Sequence, residues 1–501
     1  MSHFQRDHVV RSILDNWATL GLALLLSLAS FPTPRLLSEE WPTFQKDAFR
    51  TGWSVEDVGS GLKEAWKVDL GAPIYSSPVI SGGVLYVGTT DNRLAALDTR
   101  DGSLLWQTSA LNWIESTPAV AGGAVYAGSM DKRVYALDAL TGDLLWTCPT
   151  GSWVESSPLV HGERVYIGSW EGIFYALDAA TGAVSWNYNA GEGICSSAAI
   201  SDSLGLVYFG ADNDSLYALD LSGKRAWAAY TNGAPYSSPT FRGDRIVLGT
   251  IDNGEGNFAN QVLALDAATG AQLWNRPFGQ YQYVYASPAV EGDRVVVVTY
   301  QGDVYALDLS DGSLAWSKSL NDYILHGSPA VADGILYAAS YDGSLYAVST
   351  LTGRVIASYA TSLFLTSSPA VSDGRAYIAG SDGWVYCLDV TTPVEVEVTS
   401  SAGEVHPGDT LTFTVQLTNV SGTAQDFGAW LVFETPGVSE RVLSRRDGLH
   451  LEAGQQITAS DLSLEIPPGM APGDYALTVR AGELPADEWD TGGIGFTVVA
   501  R

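Results

Sequence analysis

Basic residues, cysteine and long hydrophobic runs are all scarce in this chain. Among its 501 residues, 26 Lys+Arg stand against 56 Asp+Glu, a formal charge of −30. A surface of that sign repels phosphate backbones and anionic headgroups, so nucleic acid is not an expected partner. A cationic or neutral ligand remains compatible, and acidity also serves simply to keep a large surface soluble. The three cysteines, Cys148, Cys195 and Cys387, lie far apart. That spacing is neither a disulfide framework nor a metal-ligand pattern, and small buried residues are the plain expectation. No cysteine precedes Cys148, so the sequence offers no lipoprotein cleavage site and N-terminal lipid anchoring is not expected. One apolar run stands out, Trp17 to Phe31, behind Arg6 and Arg11. It is short for a membrane span of about 20 residues. With small residues at Ser27 and Ala29, residues 1–30 read as an export signal cleaved near Ala29, or else as an uncleaved anchor.

What the chain does have is repetition. The elements "SSPVI" at Ser76, "STPAV" at Ser116, "SSPLV" at Ser156, "SSAAI" at Ser196, "SSPTF" at Ser237, "ASPAV" at Ala286, "GSPAV" at Gly327 and "SSPAV" at Ser367 each open a similar unit. A β run such as "VLYVG", a tight polar turn, "YALD" or a variant, a glycine and an apolar stretch follow. The stretch usually carries a tryptophan: Trp66, Trp106, Trp146, Trp186, Trp227, Trp274 and Trp316. A period near 40 with four short strands is the pattern of propeller blades. The prediction is an all-β chain with an eight-bladed β-propeller over residues 41–391, seven blades being the alternative. The aspartates of "ALD" accept backbone N–H bonds in the following turn, the glycines supply left-handed backbone, and the tryptophans pack between blades. The seventh unit has "AVS" at Ala347 to Ser349 and no tryptophan in "RVIASY", so it is expected to dock most loosely. The eighth unit has only three strands before "TTPVEVEV". Its fourth strand is expected from "LKEAWKVDL" near the start, which closes the ring and hides the sheet edges. Residues 393–501 alternate apolar and polar positions between Gly/Pro-rich joints, as in an immunoglobulin-like sandwich without a disulfide.

The innermost strand of each blade is expected to approach the axis at the Ser-Pro element. The position three residues before the proline then forms a ring: Tyr75, Glu115, Glu155, Cys195, Tyr236, Tyr285, His326 and Thr366. Two residues earlier, on the same side of the strand, come Trp113, Trp153, Tyr283 and Phe364. Tyr75, Trp113, Glu115, Trp153, Glu155, Tyr236, Tyr285 and His326 are the candidate ligand-binding rim, whose carboxylates and aromatics suit a sugar or a cation. Trp113 and Trp153 plugging loops, over solvated glutamates, is the alternative. An acid/base pair of Glu115 and Glu155 is a third reading, which requires a defined carboxylate separation. The Ser or Thr directly before the proline, Ser77 through Ser368, reads as a structural ring.

The recurring "YALDAATG…W" units and the preceding "WPTFQKDAFRTGWS" resemble the pyrroloquinoline-quinone (PQQ) propeller superfamily over Trp41 to Asp389. One branch of that superfamily implies an oxidoreductase binding PQQ and Ca²⁺ beneath a disulfide of adjacent cysteines. No two cysteines adjoin here, there is no "CxxCH" haem motif, and no cofactor or metal ligand transfers. A second branch implies a lipoprotein scaffold in outer-membrane barrel assembly. The third, secreted or surface propellers without a demonstrated cofactor, matches this chain best. It implies a non-catalytic extracytoplasmic binding or scaffold module with a protein or carbohydrate partner at the cell envelope.

Overall fold

In a computed structural model the described residues are 40–54, 61–251, 260–320, 323, 327–332, 334–350, 353, 355–391, 394–400, 404–419, 425–434, 441–451, 455–466, 473–483 and 487–498. The apolar N-terminal run therefore lies outside them, and among them no helix is long and apolar enough to cross a membrane. The described chain divides into two compact units, one holding residues 40–54 and 62–390, the other Gly61 and residues 391–498.

Seven blades of the first unit follow the repeat directly. Blade 1 runs Val79–Ser81, Val84–Gly88, Arg93–Asp98 and Leu104–Ser109 as one antiparallel sheet. Blades 2 to 7 repeat that order and begin at Ala119, Leu159, Ala199, Thr240, Ala289 and Ala330. The eighth sheet joins Ala370–Ser372, Arg375–Ala379 and Trp384–Thr391 to Gly61–Asp69. Its outer strand thus comes from the opposite end of the unit, as the strand count requires.

Each residue type of the repeat has a visible task. Asp138 accepts from the N–H groups of Leu140 and Thr141, both at 2.9 Å, and Asp178, Asp266 and Asp308 do likewise in their own turns. Six of the tryptophans reach from one blade to the next, and Trp66 links the eighth sheet to blade 1. Every indole N–H donates to a carbonyl of the following blade at 2.8–3.1 Å. Each ring also covers a glycine there: a Cβ on Gly102, Gly142, Gly182, Gly223, Gly270, Gly312 or Gly353 would meet indole carbon at 2.5–2.7 Å. Blade 7 has no tryptophan at the corresponding position, where Ala357 stands opposite Ala347. Its seam with blade 8 is filled by mixed packing: Tyr337, Leu345 and Ala347 share one core with Ala376, Ile378 and Val385, and Tyr359 meets Tyr386 edge-on at 6.1 Å.

Two further devices close the ring near the axis. The Ser or Thr before each inner strand accepts the backbone N–H of its counterpart one blade back. The series runs Ser77 to Thr117, then Ser157, Ser197, Ser238, Ser287, Ser328 and Ser368, at 2.8–3.2 Å. Ser368 N–H then donates to Ser77 Oγ at 2.9 Å, so the circle of hydrogen bonds has no break. The second device is the segment Trp41–Ser54, which winds past the inner strands of blades 1 to 7. Trp41 bridges to Ile80. Carbonyls of Pro42, Ala48, Phe49, Thr51 and Gly52 accept from Val120, Ile200, Phe241, Val290 and Val331 at 2.7–2.9 Å. Arg50, fully buried, completes the contacts: Nε donates to Ala198 O at 2.8 Å, one terminal nitrogen to Pro158 O at 3.2 Å, the other to Thr43 Oγ1 and Phe44 O.

The second unit contains a three-stranded sheet (Val394–Ser400, Thr410–Asn419, Gln456–Glu465) and a five-stranded one. Val396, Leu411, Phe413 and Val415 of the first share a core with Leu431, Leu477 and Val479 of the second. That is a two-sheet sandwich with the alternation read from the sequence.

Candidate functional site

The inner strands converge on an axial chamber of about 430 Å³. Phe44, from the winding segment, is part of its lining, and so are seven of the eight ring hydroxyl residues, all but Ser157. Around them stand Tyr75, Glu115, Glu155, Cys195, Tyr236, Tyr285 and Thr366. The spacing rule therefore places seven of its eight ring positions on one wall, while His326 lies outside the described residues. These residues lie in the linkers before the inner strands, which begin only at Ala119 and Leu159, and burial of one neighbour explains the selection. Ile114 and Val154 are buried, packing over Gly88 and Gly128 of the preceding blade, so their neighbours Glu115 and Glu155 turn to the axis.

Trp113 and Trp153 are placed differently. They are 47% and 50% exposed and do not line the chamber, whereas Phe364 of the same series does. Trp153 meets Trp170 edge-on at 6.2 Å. Trp170 itself donates its indole N–H to Glu155 Oε2 at 2.8 Å. It belongs to a set that the Ser-Pro offset does not reach, one or two residues beyond the end of the second strand of a blade. Met130, Trp170, Asp212, Tyr300, Tyr341 and Ser381 each donate a backbone N–H to the linker that leads into their own blade. These positions vary from blade to blade, a signal that was legible once the repeats were aligned.

The mouth is chemically two-sided. Glu115, Glu155 and Asp212 come from blades 2 to 4. Blades 5 to 8 supply aromatic rings: Tyr236 and Tyr285 are T-shaped at 6.0 Å, Tyr285 and Tyr300 at 6.2 Å, and Tyr341 stacks on Phe364 at 4.3 Å. Among the described residues, no lysine or arginine lines the chamber. Burial, and then the Glu155 charge, pushes the Glu115 carboxyl up to about 7. Asp212 rises to about 6 through burial and the charges of Glu155, Glu192 and Asp214. Burial with Asp212 and Glu155 drives the Cys195 thiol well up, so it stays protonated and a poor nucleophile.

A pH effect follows from Glu115. Its folded value lies above the ordinary 4.5, so between about pH 4.5 and 7 the folded chain binds more protons than the unfolded one. Stability from this group is full at the acid end and lost as pH rises through that window. Glu115→Gln is expected to raise stability at pH 8 by about 1–2 kcal/mol, allowing for solvent screening, and to do nothing at pH 4. Denaturation midpoints of both proteins at the two pH values test this; an equal difference at both removes the assignment.

All three cysteines are free, Cys148 and Cys387 buried within separate blades. PQQ is a polycarboxylate, and the described wall offers it carboxylates without a cationic partner. Among the described residues no group of three His, Cys, Asp or Glu side chains is placed to hold a metal. The described residues offer a PQQ–Ca²⁺ centre neither a cationic side chain nor a cluster of three metal ligands.

The family model for outer membrane protein assembly factor BamB, built on PQQ-type repeats, matches residues 55–193, 108–236, 151–280 and 259–396. The chain belongs to this PQQ-like propeller family. Curated members similar to it include outer membrane protein assembly factor BamB of Yersinia pestis, 27% identical over 176 residues, 32% of this chain and 42% of that one. BamB of Xanthomonas campestris is 30% identical over 150 residues, 30% of this chain and 34% of that one. The chain thus spans less than half the length of these relatives. Two solved structures share the family's fold. BamB of Moraxella catarrhalis superposes with a TM-score of 0.56 at 20% identity, over 66% of this chain and 97% of that one. The quinohemoprotein alcohol dehydrogenase of Comamonas testosteroni gives 0.61 at 18% identity, over 70% and 80%.

Proposed function

We propose that this chain is an extracytoplasmic, non-catalytic binding and scaffold module that receives its ligand in the axial chamber, with the C-terminal sandwich as an immunoglobulin-like spacer or attachment domain. The observation that carries this reading is the contrast within the chamber. A closed ring of equivalent Ser/Thr residues forms its frame, while the residues above that frame change around the circle: tyrosine at 75, 236 and 285, glutamate at 115 and 155, cysteine at 195 and threonine at 366. A purely structural axis has no use for such variation; a surface that recognises an asymmetric ligand requires it. A protonated thiol at Cys195, and serine hydroxyls engaged by backbone N–H groups, favour binding over nucleophilic chemistry.

Calorimetric titration with PQQ, with and without Ca²⁺, followed by a dye-linked dehydrogenase assay, tests the non-catalytic part. No heat and no turnover are expected. Ca²⁺-dependent binding with turnover overturns the reading in favour of a quinoprotein oxidoreductase. The family match favours one further reading, a scaffold in outer-membrane protein assembly. A fall in outer-membrane β-barrel proteins on deletion of the gene supports it, and an unchanged outer-membrane profile removes it.

A further inference from the structure

The ring hydroxyls have a second half to their chemistry. Each is more than nine-tenths buried, from Ser328 at 1% to Ser77, Ser157 and Ser368 at 6%. Each oxygen accepts one backbone N–H. Among the described residues, none of the eight passes its own proton to a protein acceptor. A buried hydroxyl donor without an acceptor is costly, and those that line the chamber are relieved only by something within it.

Three kinds of group therefore face one cavity: hydroxyl donors from the ring, carboxylate acceptors at Glu115 and Glu155, and aromatic surface at Tyr75, Tyr236 and Tyr285. Glu155 has one oxygen engaged by Trp170, which fixes the carboxylate and leaves the other oxygen available. An anionic ligand meets two carboxylates and, among the described residues, no cationic side chain. A simple organic cation satisfies the carboxylates but faces the hydroxyl protons. A neutral carbohydrate satisfies all three: its hydroxyls donate to the glutamates and accept from the ring, and its C–H faces pack on tyrosine. We infer that the chamber receives an uncharged sugar unit, a terminal or free residue of a neutral glycan. This deepens, and rests on, the reading of the chamber as a ligand site.

The test is calorimetric titration of the full chain with glucose, galactose, mannose, N-acetylglucosamine and their β-1,4 and α-1,4 disaccharides. Glucuronate and choline serve as the charged arms. Saturable 1:1 binding of at least one neutral sugar is expected, weakened roughly tenfold or more by Glu155→Gln and similarly by Tyr285→Ala, with glucuronate not bound. Glu155→Gln is isosteric, so it keeps the test sound if Tyr285→Ala unfolds. Choline bound and no neutral sugar bound overturns the sugar assignment while leaving the chamber a ligand site. No titrant bound, or sugar binding unchanged in both variants, overturns the assignment and the chamber reading together.

Discussion

Replacing Arg50 with alanine is expected to destabilise the propeller by about 3–5 kcal/mol, the range for breaking a fully buried charged network. Its guanidinium serves the carbonyls of Ala198, Pro158 and Phe44 and the hydroxyl of Thr43 at once. Removing it strands those acceptors and leaves a void among them. Burial lowers its pKa to about 9, with Asp47 acting in the other direction, so it stays charged at neutral pH. Arg50→Met, which keeps the aliphatic stem, is expected to recover only part of the loss. Arg50→Lys is also expected to fall well short of wild type, because a point ammonium cannot address acceptors spread around a planar fork. The segment also holds Gln45, Lys46 and Arg50 itself at positive φ. Its conformation therefore depends on tertiary contacts rather than local preference. Thermal melts of the three variants provide the measurement. A methionine variant as stable as wild type would show that the backbone bonds alone hold the segment.

The second large effect is expected at a tryptophan seam. Trp146 is 9% exposed, packs beside Tyr126 at 5.8 Å and donates to Ala179 O at 2.9 Å. Trp146→Ala should cost about 3–5 kcal/mol for a large aromatic removed from a close-packed interface. Gly182→Ala attacks the same seam from the other side. At φ 72° a side chain is strained, and the new Cβ would lie 2.5 Å from the Trp146 ring. Because both changes disrupt one contact, the double variant should be much less destabilised than the sum of the singles. Strict additivity in denaturant unfolding would show that ring and glycine do not act as a unit. The seam between blades 7 and 8 provides the internal comparison, since blade 7 already lacks the tryptophan. At the corresponding position Ala357 stands opposite Ala347.

Much of this was legible in the sequence because a propeller repeats its physics. One period states the strand order, the turn aspartate, the glycine and the interlocking tryptophan, and successive copies confirm them. The same alignment found the chamber wall, since a fixed offset from the proline brings Tyr75, Glu115, Glu155, Cys195, Tyr236, Tyr285 and Thr366 to the axis. It failed at Trp113 and Trp153 because these residues lie in linkers ahead of the inner strands Ala119–Ala121 and Leu159–His161, where the two-residue alternation of a strand does not apply. They are half-exposed and leave the wall to Glu115 and Glu155.

What the sequence by itself determined is the all-β repeat, the blade built from both ends of the unit, the sandwich-like alternation after it and the acidic-aromatic character of the rim. Tertiary structure alone decided the rest. The Ser/Thr series is eight local residues in sequence, and only circular closure turns it into an unbroken hydrogen-bond ring in which each oxygen is already occupied by a neighbour's N–H. The Trp41–Ser54 segment shows no periodicity, because its partners are inner strands of seven different blades. Glu115 and Glu155 lie 40 positions apart, and their mutual repulsion arises only once adjacent blades bury them in the same chamber.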